Sequence, residues 1–120
     1  MSIAFPSSKE HSIEFEKLLK ICQKLRVLSF DICHTNTEFL KVLNRSAPIN
    51  LREIRFHYKF SLETLEEFLE NWKGRPALSI LTSNHGYENE EYIEIVSRYK
   101  NDGVLKDFKC VSIRDMDFSL

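Results

Sequence analysis

An apolar-x-x-apolar-x-apolar pattern recurs along the chain at intervals of 26 or 27 residues. Its four copies are Leu25/Leu28/Phe30, Leu51/Ile54/Phe56, Leu78/Leu81/Ser83 and Leu105/Phe108/Cys110, in which Ser83 is the one polar residue. An aromatic or aliphatic residue opens a helical pattern fourteen positions after each of the first three leucines, at Phe39, Leu65 and Tyr92. A fixed period of this length is typical of stacked strand-plus-helix units. The pattern therefore predicts a binding surface rather than a catalytic pocket.

The second unit shows the predicted order of elements most completely. A strand over 51–57 is followed by Ser61 as a helix N-cap. The apolar positions of the helix after it share one face and are Leu62, Leu65, Phe68, Leu69 and Trp72. Gly74 can adopt a positive φ and Pro76 cannot continue a helix, so the helix is predicted to end before them.

The other units predict helices at corresponding places. In the third unit Asn89 is the expected N-cap, and the helix stops at 101–103. In the first unit Thr37 or Asn36 caps a helix that runs through Leu43. A helix over 10–22 precedes it and completes a truncated unit.

Strands joined by helices in this order must run parallel. The predicted fold class is α/β, as a short right-handed solenoid with parallel strands on its concave side and helices on its convex side. We predict a single domain over 1–120, divided into a partial repeat 1–22, repeats 23–48, 49–76 and 77–103, and a partial repeat 104–120. The alternative is an ordinary open α/β sheet. Sheet edges at 3–5 and 105–111 predict self-association or poor solubility unless they are covered.

Composition excludes several classes of partner. The 120 residues are 42% hydrophobic and 29% charged, with a net charge of -1, so bulk charge favours neither nucleic acid nor anionic lipid. The apolar runs are only a few residues long, and the N-terminus lacks a signal-peptide pattern. We therefore expect a cytoplasmic or nuclear protein with no membrane or nucleic-acid partner.

Cysteine and histidine spacing gives little support for catalysis or metal binding. The three cysteines, Cys22, Cys33 and Cys110, form no Cys-x-x-Cys pair, and the four histidines have no metal-ligand spacing. No phosphate loop or nucleophile elbow is present. The sequence predicts a non-enzymatic protein without catalytic residues, metal or cofactor. The enzymatic alternative is a small α/β hydrolase that would use His57 and Cys33.

The residues between and just after the triplet positions should face away from the helices. The candidate partner-binding residues on this concave face are Ser29, Asp31, Glu53, Arg55, His57, Thr82, Asn84, Asp107 and Lys109. Arg55 and Lys109 together form a candidate site for a carboxylate or phosphate. Five strands offer on the order of 400 to 500 Å² of nominal area, below the roughly 800 Å² per partner of a standard interface.

The segment Cys22-x-x-Leu25-x-x-Leu28-x-Phe30-x-x-Cys33 resembles the cysteine-containing, ribonuclease-inhibitor-like class of leucine-rich repeat. The later copies depart from it, since the second has no matching second cysteine. The stretch from Leu51 through the Trp72 region to Cys110 is similar to the C-terminal part of fungal F-box-like proteins.

This resemblance implies a function in target recognition. It implies the substrate-recognition part of a cullin-type ubiquitin ligase, in which the repeats hold a protein target. The ligase adaptor would be reached only through an F-box, which is missing from this sequence. The alternative within the same class is a scaffolding leucine-rich-repeat protein unconnected to ubiquitin.

Overall fold

A computed structural model describes residues 2–6, 12–31, 38–57 and 59–111. Within these ranges strands and helices alternate along the chain. The strands are Ser2–Pro6 (β1), Val27–Asp31 (β2), Glu53–Phe56 (β3), Leu78–Thr82 (β4) and Leu105–Cys110 (β5). The α-helices are Ser12–Ile21 (α1), Glu38–Ser46 (α2), Leu62–Trp72 (α3) and Glu90–Asn101 (α4), and a 3₁₀ turn at His85–Glu88 precedes α4.

The five strands form one parallel sheet whose spatial order, β1-β2-β3-β4-β5, is the order of the chain. Each connection therefore advances the chain by one strand. Crossovers of one hand that all advance in the same direction place their helices on the same face of a sheet. Neighbouring helices also contact one another in chain order. The predicted α/β class with a parallel sheet is confirmed.

The local signals that begin and end the helices act as the sequence predicted. The Ser61 Oγ accepts a hydrogen bond from the Thr64 N–H at 3.2 Å, and the Asn89 Oδ1 accepts one from the Glu91 N–H at 2.8 Å. Gly74 and Gly103 follow α3 and α4 with φ of 88° and 79°. The helix starts predicted at 36–37 and 10 lie outside the described residues.

The core lies between the sheet and the four helices. Leu28, Ile54 and Ile80 stand side by side in the register of β2, β3 and β4, and each is 0% exposed. The repeat leucines share this burial and are at most 2% exposed: Leu25, Leu51, Leu78 and Leu105. The predicted interior position of these leucines is confirmed.

The predicted register of the third unit is wrong by one residue. Leu78, Ile80 and Thr82 are buried, whereas Leu81 is only half-buried. β2 and β3 begin two residues after Leu25 and Leu51, but β4 begins at its repeat leucine. Because side chains alternate along a strand, positions two and four after that leucine then face the helices.

β5 returns to the original spacing through a bulge. Leu78 pairs with Leu105 and Ser79 with Asp107, so Lys106 is the extra residue. A bulge of this kind shifts the following side chains by one position. Phe108 consequently aligns with Ile80, as the three-residue spacing from Leu105 requires.

The register of β4 predicts different costs for two neighbouring substitutions. Ile80→Ala should destabilise the fold by about 2–5 kcal/mol, because it leaves a cavity in the closed core. Leu81→Ala should cost about 1 kcal/mol or less, because Leu81 is already partly in water. Denaturant unfolding of both variants measures the difference. Equal costs, or a larger cost at Leu81, would contradict this register.

Polar side chains link neighbouring helices on their exposed sides. Glu16 on α1 accepts hydrogen bonds from the Arg45 Nε at 2.7 Å and the Ser46 Oγ at 2.5 Å, both on α2. Between α3 and α4, Arg98 bonds Glu66, and the Tyr99 hydroxyl donates to the Glu70 Oε2 at 2.8 Å. The bond from Arg45, followed by that from Ser46, lowers the pKa of Glu16 to about 2.

The lowered pKa of Glu16 predicts a contribution to acid stability. Its carboxylate titrates near 4.5 when unfolded and near 2 when folded. The Glu16 contribution is therefore fully present above about 4.5 and is lost as the pH falls toward 2. Glu16→Gln should flatten the fall in unfolding free energy across this window. Denaturant titrations at several pH values measure it, and parallel pH profiles for the two proteins would contradict the assignment.

Candidate protein-binding face

Every second strand residue points away from the helices, and we call this surface the far face of the sheet. Strand register arranges its central residues in two rows across β2 to β5. The rows are Val27–Glu53–Ser79–Asp107 and Ser29–Arg55–Leu81–Lys109. The far face thus combines both signs of charge with hydroxyl and aliphatic groups.

Four of the nine predicted binding residues lie in these rows with side chains that reach solvent: Glu53, Arg55, Asp107 and Lys109. Thr82 does not, because it is 0% exposed and aligns with Phe56 and Cys110 on the helix side. This correction follows from the shifted register of β4. Ser79 and Leu81 occupy the far-face positions that the sequence assigned to Ile80 and Thr82.

Two other predicted residues, Ser29 and Asp31, belong to β2. Ser29 stands in the far-face row but is 1% exposed, and its Oγ has no hydrogen-bond partner among the described residues. It is therefore buried beneath its neighbours and offers a partner no contact. Asp31 ends β2 opposite Pro6, and its side chain lies outside the described part of the structure.

The geometry does not support the predicted carboxylate or phosphate site at Arg55 and Lys109. Leu81 separates these residues in the register, which puts the two cations on strands that are not neighbours. The Arg55 Nε also bonds the Glu53 Oε2 at 2.7 Å, with both side chains about a quarter exposed. The local anion neutralises the Arg55 guanidinium, so the centre of this face presents an ion pair rather than a cationic pocket.

The loops at the carboxyl ends of β3 and β4 meet beside the far face. His57 hydrogen-bonds the Ser83 hydroxyl through its Nδ1. Ser83, rather than the predicted Asn84, is therefore the neighbour of His57. Asn84 has a structural task instead, since its Oδ1 accepts the Gly86 N–H at 2.9 Å and caps the 3₁₀ turn.

Two tyrosines fix the β3–α3 loop against the following unit. The Phe60 N–H donates to the Tyr87 hydroxyl at 2.6 Å, and the Tyr92 hydroxyl donates to the Phe60 carbonyl at 2.8 Å. The rings of Tyr87 and Tyr92 meet edge to face at 5.0 Å. Tyr87 lies outside the repeating pattern and was not predicted from the sequence. Its signal was the Asn84-x-Gly86 turn, which places the next residue back over the core.

The described residues include His, Cys, Asp and Glu side chains, the types that bind metals or act in catalysis. Within them no group of three or more His, Cys, Asp or Glu side chains could hold a metal ion. No helix in the described ranges is long and apolar enough to span a membrane. Burial raises the pKa of the Cys110 thiol, which keeps it in its unreactive protonated form. Cys33, the other half of the hydrolase alternative, lies outside the described residues.

Comparison with known proteins yields no relative: no protein-family model, no curated protein and no solved structure matches the chain. The class that the structure defines is an α/β protein with a five-stranded parallel sheet in chain order.

The tyrosine contacts predict a measurable difference between two Tyr→Phe substitutions. Tyr92→Phe removes a hydrogen-bond donor to the buried Phe60 carbonyl and should cost about 1–3 kcal/mol. Tyr99→Phe is the matched control, because the exposed Glu70 carboxylate can bond water once the hydroxyl is lost, and it should cost less than about 1 kcal/mol. Denaturant unfolding compares them. A Tyr92 variant as stable as the Tyr99 variant would refute this role.

Proposed function

We propose that this chain is a non-enzymatic protein-interaction module. In this proposal it is a short right-handed solenoid of the leucine-rich-repeat type, and the far face is its concave, target-binding surface. Its role resembles that of the substrate-recognition repeats of an F-box ubiquitin-ligase subunit. The observation that carries the proposal is the agreement between spatial strand order and chain order.

Contacts between successive units support a repeat architecture. Each of the three inner strands pairs with the strands of the preceding and following units, and β1 and β5 each pair with one neighbour. Backbone and side-chain bonds also join neighbouring units, as where Arg75 after α3 donates to the Asn44 carbonyl of α2 at 2.7 Å. Nearest-neighbour contact of this kind is the defining property of repeat proteins.

The composition of the far face supports a protein as the partner. Glu53 and Arg55 form a pair, while Asp107 and Lys109 add one charge of each sign on β5. Leu81 supplies a partly exposed aliphatic surface between them. Such a mixture suits a polypeptide with hydrogen-bonding groups of both kinds, whereas a nucleic acid would require an excess of positive charge.

The test is quantitative affinity capture with a paired variant. The double variant Arg55→Ala/Leu81→Asp should reduce recovery of a specific bound protein by about tenfold or more, because it alters the centre of the far face. The control Glu91→Gln alters an exposed residue at the start of α4 and should leave recovery unchanged. Both variants are first checked for the wild-type circular dichroism spectrum and melting temperature.

The outcomes separate the proposal from its alternatives. A bound protein that both variants retain equally would place binding elsewhere and refute the far face as the recognition surface. The ubiquitin connection is tested by joining an F-box to the chain and measuring turnover of the captured protein in cells. Turnover that does not change would leave a scaffold for that protein and remove the ligase role.

A further inference from the structure

β5 is the last strand of the sheet within the described residues, and the register with β4 shows which of its backbone groups point outward. The Val111 N–H donates to the Thr82 carbonyl of β4 at 2.8 Å. Backbone groups of a parallel strand alternate between its two sides. Those of Lys109 and Val111 therefore face β4, and those of Phe108 and Cys110 face outward.

The two side chains that flank Phe108 carry opposite charges, so this segment can pair with a second copy of itself. Asp107 and Lys109 flank Phe108 and share the far face of β5. When two copies of β5 run antiparallel about a two-fold axis at Phe108, each Asp107 lies opposite the Lys109 of the other copy. Opposite charges in directly facing cross-strand positions stabilise a strand pair. The outward-directed groups of the two Phe108 residues also pair in this register.

The helix layer beside β5 has a partly exposed apolar surface. Ile93 on α4 is 51% exposed, and a cleft of about 330 Å³ lies between α4 and β5. Its lining residues include Ile93, Val96, Ser97, Phe108 and Cys110.

The same flank of the preceding helix is already an interface. Ile93 and Ser97 follow Glu66 and Glu70 by 27 positions, and those two residues are the partners of α4 on α3. The side of α4 that carries Ile93 and Ser97 therefore corresponds to the side of α3 that contacts α4, with Ile93 in place of the carboxylate of Glu66. This surface continues the interface between successive helices.

Charges at the two ends of this cleft fit the same two-fold arrangement. Glu88 lies beyond the carboxyl end of β4, and Lys100 lies in the last turn of α4, at the opposite end. An antiparallel copy brings each Glu88 toward the Lys100 of the other copy. The same two-fold rotation therefore brings opposite charges together in the sheet, at β5, and in the helix layer, at α4.

We propose that this surface, β5 together with the exposed flank of α4, binds a second copy of the chain as a two-fold symmetric dimer. The dimer has a continuous ten-stranded sheet, twice the five strands of one chain, with β5 antiparallel to its mate. This inference does not depend on the proposed function. Lysines on an edge strand oppose pairing with another strand. Asp107 offsets the charge of Lys109 only in the register in which the two residues face each other across the dimer.

Charge reversal tests the register directly. Sedimentation equilibrium over a concentration series should show a dimer for the wild-type chain. Asp107→Lys alone or Lys109→Asp alone should weaken dimerisation by about tenfold or more, because each brings like charges together twice. The double variant Asp107→Lys/Lys109→Asp exchanges the charges and should restore the wild-type dimerisation constant.

Controls distinguish loss of pairing from loss of folding. Lys17→Asp makes the same change in net charge as Lys109→Asp, but on the exposed side of α1, and should leave dimerisation unaltered. Circular dichroism and thermal melting establish that each variant is folded. A wild-type chain that stays monomeric, or single variants that dimerise as tightly as wild type, would overturn the proposal. Masses above the dimer would also overturn it, because they indicate open-ended head-to-tail assembly.

Discussion

The structure depends on the burial of one side of a parallel sheet by the helices that connect its strands. A parallel pair needs a crossover connection, so each strand is joined to the next through a helix that must lie on one face. Leu28, Ile54 and Ile80 form the central row of that buried face, each 0% exposed. One unit has too few apolar contacts to close this row by itself. Stability therefore comes from neighbouring units together.

Long side chains add specificity to this stacking. Arg75 leaves the loop after α3, lies over the Trp72 ring at 4.8 Å and donates to the Asn44 carbonyl near the C-terminus of α2. A cation at that end complements the partial negative charge of the helix. Tyr87 and Tyr92 perform the corresponding task at the other end of the units by bonding both backbone groups of Phe60. Such contacts fix the spacing between successive units at both ends.

Sequence periodicity predicted the α/β class and the parallel sheet, because the pattern of buried positions repeats when successive strands are adjacent. The strands, the caps at Ser61 and Asn89, and the turns at Gly74 and Gly103 were all recognisable from local chemistry. The face of β4 was not, because it depends on whether the strand begins at its leucine or two residues later. Leu-x-Ile and Leu-x-x-Leu readings of 78–81 both fit the sequence. Only the position of β4 against β3, followed by the bulge at Lys106, decides between them.

The candidate site was less predictable for the same reason. One residue of shift exchanged Thr82 for Leu81 on the far face, and pairing with Glu53 removed the predicted cationic character of Arg55. Neither effect is visible in a single strand, because both arise from neighbours across the sheet or along it. The sequence predicts which face is buried more readily than it predicts what the other face presents.

The size of the far face connects the recognition proposal with the dimer. Five strands offer on the order of 400 to 500 Å², which is small beside the roughly 800 Å² that one partner contributes to a standard interface. Pairing of β5 with its mate keeps both far faces on the same side, because the two-fold axis is perpendicular to the sheet. The continuous surface then approaches the standard size. Its central residues would be Asp107 and Lys109 of both copies, so any target that spans the junction contacts the same charges that hold the dimer together. Dimerisation and target binding would consequently be coupled, and a target with a two-fold symmetric surface would favour the dimer most strongly.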